Sequence, residues 1–195
     1  GFDLKGVSLN GASFVFATLM ETVMEEAELR DIDFSQATLD SSSFKKAKIK
    51  NVNFSSANLE GATFEEATLM GCNFKNANLN NCDFSQAKLD DCDFQGTNLG
   101  HSSFYSTTIE NCNFAFSRML YAFLKQVIIS KCRFGGVNAR GSDLSFSKMT
   151  EVDMKGAILK YADLNSCTLT DVNMTNSNLI GADLKDAQCA GVQWE

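Results

Sequence analysis

In the stretch NANLNNCDFSQAKLDDCDF, residues 76 to 94, a large apolar residue returns at Leu79, Phe84, Leu89 and Phe94, and a small residue stands two places before each. A period of five fits neither common element. An α-helix advances about 100° per residue, so five residues drift the apolar stripe by about 140° and no single face forms. In a flat strand side chains alternate, so successive large residues would fall on opposite faces. A short strand followed by a corner in every unit resolves the conflict. The large residue, position i, and the small residue at i−2 then point inward together. Position i−1 points out, and i+1 with i+2 make the turn.

The register holds from Leu4 to Trp194, giving 39 units in 195 residues, with Ala139 the small exception at i. Position i−2 is Ala, Ser, Cys, Thr or Val, apart from Phe2 and Ile32. No charge enters either column. The chain has no Pro, as expected where nearly every backbone N–H is needed in a ladder. Gly61, Gly71, Gly96, Gly141 and Gly181 fall at i+2, where a turn favours a residue without a β-carbon.

The units ANLEG (57–61), ANLNN (77–81), ADLNS (162–166) and ADLKD (182–186) resemble the A-(D/N)-L-x-x unit of the pentapeptide-repeat family. The resemblance runs the whole length. It implies an all-β fold, a right-handed four-sided parallel β-helix with four units, or 20 residues, per coil. The residues carry their own sign of 20. Phe34, Phe54, Phe74, Phe94 and Phe114 form one series, and Phe44, Phe64, Phe84 and Phe104 form another that passes to Leu124. Two distinct columns at that spacing predict two Phe-rich ladders facing each other, with Leu-rich columns between them. At roughly 4.8 Å per coil, nearly ten coils make a rod of about 45 Å.

Such a rod has backbone edges only at its ends, and repeat arrays need caps. No amphipathic helix is legible at either end. Phe2 and Trp194 are candidates to plug the core, and the exposed rims predict end-to-end or flanking-domain association. The opening GFDLKGVSLN lacks a starting Met and begins in repeat phase. Residues 1–195 therefore read as a single β-helix domain cut from a longer protein.

The net charge is −7, which argues against direct nucleic-acid binding. Its distribution is uneven. Residues 1–114 hold 8 basic and 16 acidic groups, 115–160 hold 8 basic and 3 acidic, and 161–195 hold 1 basic and 5 acidic. No apolar run is long enough for a membrane span.

The candidate catalytic and metal-ligating residues weigh toward structural roles. Of seven cysteines, Cys72, Cys82, Cys92, Cys112, Cys132 and Cys167 occupy the small slot i−2 and Cys189 occupies i. They read as buried free thiols, which points to a reducing compartment and a cytoplasmic protein. His101, the lone histidine, stands on a corner with no partner for nucleophilic catalysis. Carboxylates such as Asp90, Asp91 and Asp93 lie on a convex surface, whereas acid–base work needs a pocket. No cofactor, metal or catalytic residue is expected. The stacked outward column of Asp143, Asp163 and Asp183 is read as relieved by Lys160, Lys185 and solvent rather than by a bound cation.

Outward apolar residues are the informative departure. Phe116, Tyr121 and Phe146 stand at i+2, Leu120 at i+1, and Phe123 and Ile128 at i−1, where most units are polar. His101, Leu120, Tyr121, Arg140, Lys160 and Tyr161 share one corner, with Phe123, Tyr105 and Lys125 on the adjoining face. Together with Arg118 they form an aromatic and basic patch, the kind of surface that anchors protein partners. The competing reading is a bulge over residues 118–130 that tucks these side chains in. The sequence thus points to a non-catalytic protein–protein interaction scaffold. The resemblance adds two alternatives: a DNA mimic that binds or protects a type II topoisomerase, and a module of a secreted bacterial effector delivered into a host cell.

Overall fold

The computed structural model describes all of residues 1–195. Every 20 residues the chain returns to the same side. Ten three-residue strands, β1 (Ser8–Asn10) to β10 (Gln188–Ala190), pair in order in one parallel sheet. Leu9 lies against Leu29, and Leu69 against Leu89. Three further columns of single-residue parallel bridges run through Asp83–Ser103–Phe123, Asn73–Asp93–Asn113 and Asn78–Asn98–Arg118. The protein is a four-sided parallel β-solenoid. In chain order the faces carry the column of Phe123 (first), the strands (second), the column of Asn113 (third) and the column of Arg118 (fourth).

The five-residue unit closes its own hydrogen-bond account. In residues 73–77 the amides of Asn73, Phe74 and Asn76 donate to Val52, Asp93 and Gln95 of neighbouring coils, at 3.0, 2.7 and 3.0 Å. The Ala77 amide donates back to the Phe74 carbonyl at 3.0 Å, making a tight turn. The remaining amide, that of Lys75, donates to Asn73 Oδ1 at 3.1 Å. Asp or Asn is therefore favoured at i−1 because its side chain caps the turn two residues on. These Asx groups also stack, as in Asn73 Nδ2 to Asn53 Oδ1 and Asn53 Nδ2 to Asp33 Oδ1, both 3.0 Å.

Every fifth residue from Gly6 to Gly191 has φ near +60°, and most are not glycine. The glycines at i+2 hold the turn geometry expected of them, and non-glycine residues at the other corners hold it too. Phe116, Tyr121, Phe146 and Tyr161 all hold this left-handed backbone. Inter-coil bonds from the i+2 amide, such as Tyr121 N to Arg140 O at 3.0 Å, and the next turn bond over-determine the corner.

The core is the pair of phenylalanine ladders. Phe74 and Phe94 stack at 4.7 Å between centroids, and Phe64 and Phe84 at 4.8 Å. The ladders meet edge to face, as for Phe74 and Phe84 at 6.4 Å. All nine phenylalanines from Phe34 to Phe114 in these series are fully buried. The apolar cluster runs unbroken through the stack.

One corner differs. After each strand the chain bends without the usual turn bond, leaving the amide at i−2 of the next unit unclaimed by backbone. Cys72, Cys92, Cys112 and Cys132 occupy this column. The amides of Cys92 and Cys112 donate to Sγ of Cys112 and Cys132, at 3.4 and 3.3 Å. Each thiol in turn reaches a carbonyl, as Cys132 Sγ to Ser130 O at 3.1 Å.

Two expectations are corrected at the ends. Phe2 and Trp194 do not plug the core; they are 62% and 45% exposed, because the end coils have a neighbour on one side only. Cys189 is exposed for the same reason, while the other six thiols are buried. No helix is long and apolar enough to cross a membrane.

Candidate protein-binding surface

Residues 118–130 do not bulge. Arg118, Phe123 and the strand Ile128–Ser130 keep the 20-residue register with the coils on both sides. The outward side chains consequently remain outside: Phe116, Phe123, Phe146 and Tyr161 are each more than half exposed, and Tyr121 and Tyr105 nearly so. Leu120 is half-buried.

The predicted patch separates into three parts. Leu120, Tyr121, Arg140 and Tyr161 meet at the corner between the fourth and first faces, with Phe123 beside them on the first face. Tyr105, Lys125 and Phe146 stand on the next corner rather than on the face with Phe123, and Lys125 Nζ lies 5.3 Å from the Phe146 ring. Phe116 occupies the corner on the far side of the fourth face, with Arg118 on the face between.

At the central corner each ring packs against a neighbouring coil. His101 stacks on Tyr121 at 5.5 Å, and Arg140 sits 5.5 Å from the Tyr161 ring. Glycine makes the room. A β-carbon on Gly141 would come within 2.6 Å of the Tyr121 ring, and one on Gly181 within 2.6 Å of Tyr161. Gly136 receives Phe116 in the same way, at 2.7 Å. Ring and glycine alternate coil by coil, a relation that residue type alone did not reveal.

Between Gln95 and Gly181 no Asp or Glu stands on the fourth face or on either of its corners. The same strip carries Arg118, Arg140, Lys155 and Lys160 among Phe116, Tyr121, Ile158 and Tyr161. The first face, by contrast, keeps its acids. Asp143, Asp163 and Asp183 are not relieved by lysine side chains; each caps its own turn, accepting the amides of Ser145, Asn165 and Lys185 at 2.8–2.9 Å.

The surface is not entirely smooth. A shallow open depression of about 720 Å³ lies over the first strands, lined by Glu28, Arg30, Lys48, Lys50 and Met70 among others. Lys48 Nζ pairs there with Glu28 Oε1 at 2.8 Å, and Glu28 is held below its ordinary carboxyl range by that bond and charge. Burial pushes the thiols of Cys82 and Cys167 up, away from the reactive thiolate.

A four-sided solenoid of five-residue units defines the class. The family model described as pentapeptide repeats (8 copies) matches residues 19–55, 27–65, 109–145 and 147–186, and the pentapeptide repeat region model matches 47–123. The chain belongs to the pentapeptide-repeat family. Among solved structures it is similar to HetL, a pentapeptide repeat protein involved in heterocyst differentiation regulation from the cyanobacterium Nostoc, at 22% identity over 96% of this chain and 86% of that one, with a TM-score of 0.52. It is also similar to full-length QnrB1, a plasmid-mediated fluoroquinolone resistance protein, at 18% identity over 93% of each chain and a TM-score of 0.42. A pentapeptide repeat protein of the Arabidopsis thaliana thylakoid lumen gives 26% identity over 64% of this chain and 69% of that one, with a TM-score of 0.22. No curated protein matches the chain.

Proposed function

We propose that this protein is a non-catalytic scaffold that binds another protein through the corner of Tyr121 and Tyr161 and the adjoining Phe123. The observation that carries the reading is the acid-free strip. An acidic chain sets four cations and a set of exposed rings along one face and its two corners, and places glycine against three of the rings. Rigid aromatic anchors flanked by basic groups are favoured at protein interfaces because little side-chain entropy is lost on binding. The six buried thiols and the turn-capping carboxylates are committed to structure.

A DNA mimic would require a continuous acidic surface, with about two charges per 3.4 Å as in the duplex. The acid-free strip interrupts it, and a gyrase supercoiling assay with and without quinolone separates the two readings. The direct test is recovery of bound protein on the immobilised chain against the double variant Tyr121→Ala/Phe123→Ala. Loss of recovery with unchanged far-ultraviolet dichroism supports the patch; equal recovery removes it.

A further inference from the structure

Some charges in the N-terminal half of the rod are paired between adjacent coils. Lys45 meets Glu65 at 2.6 Å, Lys48 meets Glu28 at 2.8 Å and Lys75 meets Asp93 at 3.0 Å. On the corner between the fourth and first faces none is. Asp40, Glu60, Arg140 and Lys160 all stand in one column there, and none of them makes an ion pair within the chain. The acids occupy the N-terminal half and the bases the C-terminal half. Burial, with the charge of Glu60 added, holds the Asp40 carboxyl above its ordinary value, as befits an acid with no cation beside it.

The spacing of these charges is symmetric. Arg140 and Glu60 each lie 40 residues from Gly100, and Lys160 and Asp40 each lie 60 residues from it. In coils these are two and three steps on either side. The exposed Ile180 and Met20, four coils out, complete the series. Gly100 itself is buried and presents no side chain, its amide held by Asn80 Oδ1 at 3.0 Å. From these relations we infer that a second copy of this chain docks antiparallel along this corner, about a two-fold axis at Gly100. Resting on the reading of the corner as a protein-binding surface, the inference names its occupant.

An isologous two-fold contact requires a patch that is complementary to itself. Turned end for end about Gly100, the corner sets Arg140 over Glu60 and Lys160 over Asp40 of the other copy, each pair made twice. Met20 meets Ile180. The parallel arrangement would instead set Arg140 on Arg140 and Glu60 on Glu60, and is excluded by repulsion. From Met20 to Ile180 the column runs eight coil steps, a contact roughly 40 Å long.

Sedimentation equilibrium of the purified chain tests this. The chain is expected to associate to twice its mass, less tightly as salt rises from about 0.05 to about 0.5 M. Arg140→Glu replaces two attractions by two repulsions and should weaken the dimer about tenfold or more. Adding Glu60→Arg to the same chain should restore it, and Lys160→Glu with Asp40→Lys is the second such exchange. Lys148→Glu, the same change of charge on the strand face, should have no effect. A monomer at every concentration overturns the pairing. So does a dimer indifferent to Arg140→Glu, which would associate elsewhere, end to end included, and so does failure of both exchanges to rescue. A monomer that still yields a Tyr121- and Phe123-dependent complex would sink the self-pairing alone, while loss of that complex from an intact dimer would sink the wider scaffold reading alone.

Discussion

The ring of Tyr121 lies against Gly141 one coil below, where a β-carbon would stand 2.6 Å from it. Substituting Gly141→Ala forces the ring off the rod. The backbone at Gly141 is left-handed, but so is that of many non-glycine corners, so the strain on alanine is modest. The expected outcome is a loss of about 1 kcal/mol in stability, with displaced Tyr121 resonances and weakened binding at the corner. Unchanged Tyr121 resonances would show that the ring is not seated there.

Phe74 sits in the middle of its ladder, with Phe54 at 4.8 Å and Phe94 at 4.7 Å, and is fully buried. Phe74→Ala should cost about 3–5 kcal/mol by cavity formation. Denaturant unfolding measures it, and a cost below about 1 kcal/mol would contradict a close-packed stack.

Ser117 Oγ is buried without a hydrogen-bond partner, unlike Thr97 one coil before, whose Oγ1 donates to Phe94 O at 2.7 Å. Ala57 and Ala77 fill the same column. Ser117→Ala should therefore stabilise, by about 1 kcal/mol, because it removes an uncompensated polar group. A fall in Tm would indicate a partner for the hydroxyl.

Asp33 is held below its ordinary carboxyl value of 3.8 by hydrogen bonds, first from the Ser35 side chain, then from its amide, with Asn53 adding to them. A lowered folded pKa means that the contribution is complete above the ordinary value and is lost as pH falls through the folded one. The Tm difference between wild type and Asp33→Asn should thus be constant above about pH 5 and shrink below about pH 4. A difference independent of pH across that window would contradict the assignment.

Cys189 is exposed and the other six thiols are buried. A thiol reagent on the native chain should label one cysteine rapidly and the rest only on unfolding.

The ladders were legible in the sequence because the core imposes volume. Phe74 and Phe94 can be swapped for nothing small without a void, so their spacing survives in the residues. The i+2 corners were less so: the inter-coil bond of Tyr121 N to Arg140 O acts on backbone, and it imposes φ near +55° on tyrosine as it does on glycine. The role of the cysteine column was hidden too, since nothing in residues 89–92 signals that this bend lacks its turn bond. The candidate surface was half legible. The 20-residue period assigns Tyr121, Arg140 and Tyr161 to one corner, but whether residues 118–130 stayed in register, and whether Arg140 found a carboxylate within the chain, needed coordinates.

The corner as a protein-binding surface is most directly tested by site-specific photo-crosslinking. A benzophenone side chain placed at Phe123, and as a control at Thr108 on the strand face, reports what lies within a few ångströms of each. The account predicts covalent protein adducts from position 123 and none from position 108; adducts from both alike, or from neither, would contradict it.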